Sequence, residues 1–115
     1  MDLQLAADDG QVAAINCTGQ ITRQSPDDPF EKLLGSDCYT RRVLLNLKHA
    51  RFIDSSGLGW LLIAHKRFNE NGGRLILHSV PPLIRHPIDL LRLDKVLTIV
   101  ATEADALALA LAQGR

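Results

Sequence analysis

No stretch of this sequence approaches the roughly 20 consecutive apolar residues that a helix needs to cross a bilayer, so membrane insertion is not expected. The opening residues MDLQLAADDG also lack the basic and apolar regions of a secretory signal, and a cytoplasmic location is the expectation. An excess of one charge is missing as well. Thirteen Lys and Arg are matched by 13 Asp and Glu, interspersed along the chain, giving a formal net charge of zero. A protein that binds nucleic acid directly, or an anionic membrane surface, carries a basic footprint that is absent here. Cysteine is scarce: Cys17 and Cys38 are the only two, and they have no metal-ligand spacing. They read as small reduced hydrophobes rather than as a disulfide, a metal site or a redox pair.

Catalytic signatures are lacking too. No Gly-Lys-Ser/Thr triplet follows a glycine-rich loop, so there is no phosphate-cradling P-loop. Ile53-Asp54-Ser55-Ser56-Gly57 lacks the first glycine of a serine-hydrolase elbow. His49, His65, His78 and His86 are scattered without paired spacing, and Arg85-His86 beside Pro87 reads as a solvated helix face. No metal, no cofactor and no enzymatic activity are expected.

What is present is enough apolar residue, 46% of 115, for one compact domain over residues 1–115 with one core. Apolar runs bounded by turn residues alternate with helical patterns, the mark of an α/β fold with a largely parallel sheet. LQLAA (3–7) and QVAAINCTG (11–19) flank Asp8-Asp9-Gly10 as a hairpin, so the chain opens antiparallel. Ser25-Pro26-Asp27-Asp28 offers a cap and acids for a short helix with Phe30, Leu33 and Leu34 inward, closed by Gly35. RVLLNL (42–47), apolar on both faces, reads as the central strand. RLILHS (74–79) and VLTIV (96–100) are further strands. A helix from Pro81-Pro82 through about Leu93 separates them, and Thr102-Glu103-Ala104-Asp105 opens a terminal helix. The order is ββαβαβαβα, five strands and four helices, with no internal repeat.

The clearest helix follows residue 54. Leu58, Leu61, Leu62, His65 and Phe68 make one inward stripe, which Asn71-Gly72-Gly73 ends. Asp54 or a serine can cap it, and Gly57 and Gly59 suit close packing on a sheet. Capping alone leaves Trp60 and Ile63, which the same spacing puts on the opposite face. Either another element covers them, or they form an exposed patch for a partner beside the serines.

Residues from Val43 to Ala108 resemble the STAS domain, in particular the stand-alone bacterial anti-sigma factor antagonists. The resemblance covers about residues 10–110, and its most specific part is Asp54-Ser55-Ser56-Gly57-Leu58-Gly59 after an apolar strand, supported by Gly72-Gly73 before the next. It implies a mixed, mostly parallel five-stranded sheet with about four helices packed on it. In that family the serine immediately after the aspartate is phosphorylated by an ATP-dependent partner that is both kinase and anti-sigma factor, and a phosphatase reverses the step. Carried over, the acceptor is Ser55, a choice over Ser56 that only the resemblance makes. The resemblance, taken with the outward spacing of Trp60 and Ile63, points to a partner surface of Asp54, Ser56, Gly57, Leu58, Gly59, Trp60, Ile63 and Thr22. Unphosphorylated protein would hold the anti-sigma factor and release a sigma factor. STAS-like domains also serve as scaffold subunits of stress-signalling assemblies and as accessory subunits of lipid-transport ATPases, where constitutive binding suffices. One position departs from the antagonist pattern: where the second strand usually continues Glu-Leu-Asp, this chain reads Gly19-Gln20-Ile21-Thr22, with no acid at either polar position.

Overall fold

The structure is a computed structural model that describes residues 1–22 and 27–112. Strands β1 (Asp2–Asp8) and β2 (Val12–Ile21) form the expected antiparallel hairpin. Its turn is held by side chains: Asp8 Oδ1 accepts the Gly10 N–H at 2.9 Å, and Asp9 Oδ1 accepts those of Gln11 and Val12 at 2.8 Å. Gly10 sits at φ +90°, a conformation that glycine adopts at little cost.

Helix α1 (Pro29–Leu34) begins three residues later than a cap at Ser25 would place it. Asp28 is the cap, accepting from the N–H groups of Phe30 and Glu31, Pro29 occupies the first helical position, and Gly35 closes the helix. Ser25 and Pro26 lie outside the described residues. Strand β3 (Arg42–Ile53) is central in the sheet order β1-β2-β3-β4-β5, and it runs six residues past its expected end at Leu47. Helix α2 (Ser55–Glu70) leads to β4 (Arg74–His78), then α3 (Pro82–Leu90), β5 (Ile99–Val100) and α4 (Glu103–Ala112). β2, β3, β4 and β5 run parallel to one another, leaving β1 as the antiparallel edge.

Two expected boundaries move. α3 stops at Leu90 rather than near Leu93, because Arg92 adopts a left-handed φ of 58° that cannot continue a helix. Residues 93–95 then form a short 3-10 turn, so the strand expected at 96–100 shrinks to Ile99–Val100, with Leu97 folded into the core.

Alternation along the strands builds two cores. Val43, Leu45, Leu75 and Leu77 point to the face covered by α1, α2 and α3, and Ala13, Ile15 and Cys17 of β2 join them. Leu44, Ile76 and Val12 point to the opposite face, where Ala106 and Ala110 of α4 cover them. His78, 1% exposed, lies at the end of β4 with its ring Nδ1 2.9 Å from Ser79 Oγ.

Candidate functional site

The DSSG segment lies where central strand β3 hands over to α2. Asp54 has extended backbone and caps the helix: its Oδ1 accepts the Gly57 N–H at 2.9 Å, satisfying one of the donors left free at a helix start. The same oxygen accepts the Ser56 hydroxyl at 2.6 Å. These two donors, the Ser56 hydroxyl first, hold the Asp54 carboxyl below the usual carboxylate range, so it is ionised at neutral pH.

The two serines are therefore not equivalent. Both are exposed, but the Ser56 hydroxyl is engaged with Asp54, whereas the Ser55 side chain makes no hydrogen bond among the described residues. Ser55 is the first residue of α2, at the positive end of the helix dipole, where an added negative charge is stabilised by about 0.3–1 kcal/mol.

Gly57 explains how this turn meets the sheet. A Cβ there would stand 1.9 Å from the Ile21 carbonyl oxygen, so the helix rests directly on the end of β2. Asp54 N–H points to the same oxygen at 3.5 Å. That contact brings Thr22, the residue after Ile21, beside the DSSG turn. Thr22 Oγ1 is buried and has no hydrogen-bond partner among the described residues.

The other expected surface residues divide. Ile63 is outward and half exposed, as its spacing predicts. Trp60 is not an exposed patch residue: it is 7% exposed and stacks on Phe30, ring centroids 5.5 Å apart and planes within 5°. Helix α1 covers that flank of α2, so the buried face is wider than a stripe against the sheet alone. Leu58, also 7% exposed, belongs to the core, while Gly59 and His65 are only half-buried.

Sequence reasoning missed what fastens α1 in place. Asp28, besides capping α1, accepts a short hydrogen bond from the Tyr39 hydroxyl and pairs with Arg67 Nη1 at 3.4 Å, and the Arg67 guanidinium lies 5.5 Å over the Tyr39 ring. Phe30, Tyr39 and Phe68 meet edge to face in the same cluster. A cleft of about 100 Å³ remains between α1 and α2, with Asp27, Pro29, Trp60, Ile63 and Arg67 among its lining residues. The only advance signal was the i, i+4, i+7, i+11 spacing of Ser56, Trp60, Ile63 and Arg67 along one flank of α2.

No group of three or more His, Cys, Asp or Glu placed to hold a metal occurs among the described residues. Nor, among them, is any helix long and apolar enough to cross a membrane.

The family model for the STAS domain matches residues 6–106. This chain belongs to the STAS-domain family. Its sheet order and helix placement agree with that fold. The STAS domain is 31% identical over 90 residues to an anti-sigma F factor antagonist of Paenibacillus polymyxa, covering 78% of this chain and 73% of that protein. Among solved structures it is similar to an anti-sigma factor antagonist from Mycobacterium paratuberculosis, at TM-score 0.74 and 21% identity over 95% of this chain and 94% of the other. It is also similar to the anti-sigma factor antagonist SpoIIAA in its unphosphorylated form, at TM-score 0.73 and 20% identity over 99% and 100% of the two chains. The phosphorylated form of Bacillus SpoIIAA gives TM-score 0.65 and 21% identity over 93% and 97%.

Proposed function

We propose that this STAS domain is an anti-sigma factor antagonist, a binding protein rather than an enzyme, switched by phosphorylation of Ser55. In its unphosphorylated form it binds an ATP-dependent anti-sigma factor that is also a serine kinase, and a sigma factor is released. Once Ser55 carries phosphate, binding stops until a phosphatase restores the hydroxyl.

The observation that carries this reading is the contrast between two neighbouring hydroxyls. Ser56 is committed to the Asp54 cap, while Ser55 is exposed and unengaged at the helix start. A phosphate on Ser55 adds about −1.5 to −2 charges beside the ionised Asp54, yet the helix dipole tolerates it, so the fold itself need not change. A partner packed over that hydroxyl would have to desolvate the new charge. A penalty of about 3 kcal/mol weakens binding about a hundredfold, enough to turn the complex off. The likeness to a protein solved in both phosphorylated and unphosphorylated forms supports the same reading.

Incubation with a partner kinase and ATP tests it. Intact mass rises by one phosphate in the wild type and in Ser56→Ala, and stays constant in Ser55→Ala. Phosphate appearing on Ser56 or Thr22 instead would refute the assignment.

A further inference from the structure

Beyond Asn46 the paired strands β2 and β3 fall out of step twice. Asn16 lies opposite Asn46 and Thr18 opposite His49, so β3 carries one residue more than β2 between these pairs. Leu47 is in the core with Cys17, which leaves Lys48 as the addition. Gly19 lies opposite Ala50 and Gln20 opposite Phe52, so the second addition is Arg51. Both inserted residues are cations, and bulges of this kind re-aim side chains. The first bulge is fastened by amides: Asn46 Oδ1 accepts the Lys48 N–H at 2.9 Å, and Asn46 Nδ2 donates to Asn16 Oδ1 at 3.3 Å.

Register also fixes the face. Ile21, Ala50 and Ile53 belong to the core beneath α1, α2 and α3, so the alternate pairs Thr18 with His49 and Gln20 with Phe52 emerge on the side of the sheet opposite α2. There Thr18, Gln20, Lys48, His49 and Arg51 line a groove of about 680 Å³ to which no helix contributes a lining residue. α4, on the same side, covers Val12, Leu44 and Ile76 nearer the start of the strands. The groove thus lies toward the carboxyl ends of the parallel strands, where α/β sheets generally bind their ligands. Its charge has one sign: β2 is uncharged and β3 contains no Asp or Glu, in a chain of zero net charge. Lys48, His49 and Arg51 are exposed, and among the described residues neither Lys48 nor Arg51 has an ion pair. Asp2, opposite Thr18 on β1, accepts from Gln4 Nε2 at 3.2 Å. Phe52, on the same face, stands 45% exposed.

We propose that this outward face of β2 and β3 binds an acidic surface segment of a partner protein, with carboxylates against Lys48 and Arg51 and an apolar side chain against Phe52. Exposed cations beside a half-exposed ring match the complementary charge and apolar contact of a protein surface. A dedicated phosphate site would call for a helix N-terminus or a nest of backbone N–H groups, and no helix lines the groove. Nucleic acid would call for a longer basic stripe. Two copies of this face repel each other, so the charge that attracts an acidic partner also discourages self-association. The groove and α2 lie on opposite sides of the sheet, so this contact is separate from the surface around Ser55 and persists whether or not Ser55 carries phosphate.

The test needs no kinase, so its failure is separate from failure of the Ser55 assignment. The isotope-labelled full chain is titrated with a capped peptide of six glutamates around a central leucine, and backbone amide shifts are followed. Shifts should concentrate at residues 18–20 and 48–52, and binding should weaken as sodium chloride is raised. The variant Lys48→Glu/Arg51→Glu should bind about tenfold more weakly while keeping its circular dichroism, and Gln20→Glu, which puts an acid into the groove, should weaken binding in the same direction. Ser55→Asp should bind like the wild type, and the matching lysine peptide should not bind. Absent shifts, shifts centred on α1 or α3, unchanged affinity in the charge-reversed variant, equal binding of the lysine peptide, loss of binding in Ser55→Asp, or tighter binding of pyrophosphate or oligothymidylate at the same residues would each overturn the proposal.

Discussion

Replacing Gly57 by alanine should damage this protein more than its size suggests, and the geometry says by how much. The added methyl would lie 1.9 Å from the Ile21 carbonyl oxygen, 2.7 Å from its carbonyl carbon and 3.0 Å from Ile53 Cγ1. Comfortable contacts between heavy atoms begin near about 3.5 Å, and the two closest obstacles are backbone. The first turn of α2 must therefore lift from β2 by more than an ångström, which also separates Asp54 N–H from the Ile21 oxygen. Overpacking of this kind costs about 1–3 kcal/mol, and the better helix propensity of alanine returns at most about 1 kcal/mol. With backbone on the opposing side the cost belongs at the upper end, leaving a net loss of about 2 kcal/mol. Gly59, two residues on in the same helix, is the control. Nothing lies within 4 Å of its would-be Cβ, so Gly59→Ala should gain about 0.5–1 kcal/mol. Urea unfolding of the two variants, with unchanged denaturant slopes, reads both numbers. A Gly57→Ala protein as stable as wild type would refute the close approach of α2 to β2, and with it the placement of Thr22 beside the DSSG turn.

Three further outcomes follow from the packing and the buried groups. Trp60→Ala should cost about 3–5 kcal/mol in thermal or chemical unfolding, as for other buried aromatics; a cost near zero would return Trp60 to the surface. Burial lowers the affinity of the His78 and His65 rings for protons, against a smaller opposing pull of Glu103 on His78. The unfolded chain then binds more protons than the folded one below about pH 6.5, so stability should fall as pH drops through that value and flatten in His78→Gln. Burial pushes the Cys17 and Cys38 thiols up to about 12 and about 11, so a thiol reagent at pH 8 should label neither in the folded protein and both after unfolding.

Much of the fold was legible because its signals are local. Asp-Gly between two apolar runs made the hairpin, the doubly apolar RVLLNL made the central strand, and the acid-serine-glycine junction marked the start of α2. The errors fell where tertiary contacts outweigh local pattern. Trp60 looked outward because helical spacing counts only one buried face, whereas α1 supplies a second through Phe30. The extension of β3 to Ile53 was hidden because Lys48, His49 and Arg51 break the apolar run, and only pairing with β2 shows that the strand continues. α3 ended early at a left-handed Arg92, a residue type that gives no warning of positive φ. Within the candidate site, spacing found Asp54, Ser55, Ser56 and Gly57 but could not separate the serines. That separation came from a single contact, Ser56 Oγ to Asp54 Oδ1.

The central claim is that the charge on Ser55 decides binding. The direct measurement is the affinity of a purified anti-sigma kinase for the unmodified chain and for the same chain phosphorylated at Ser55. Phosphorylation should lower the affinity about a hundredfold or more, with Ser55→Ala binding like the unmodified wild type. Equal affinities for the two forms would contradict it.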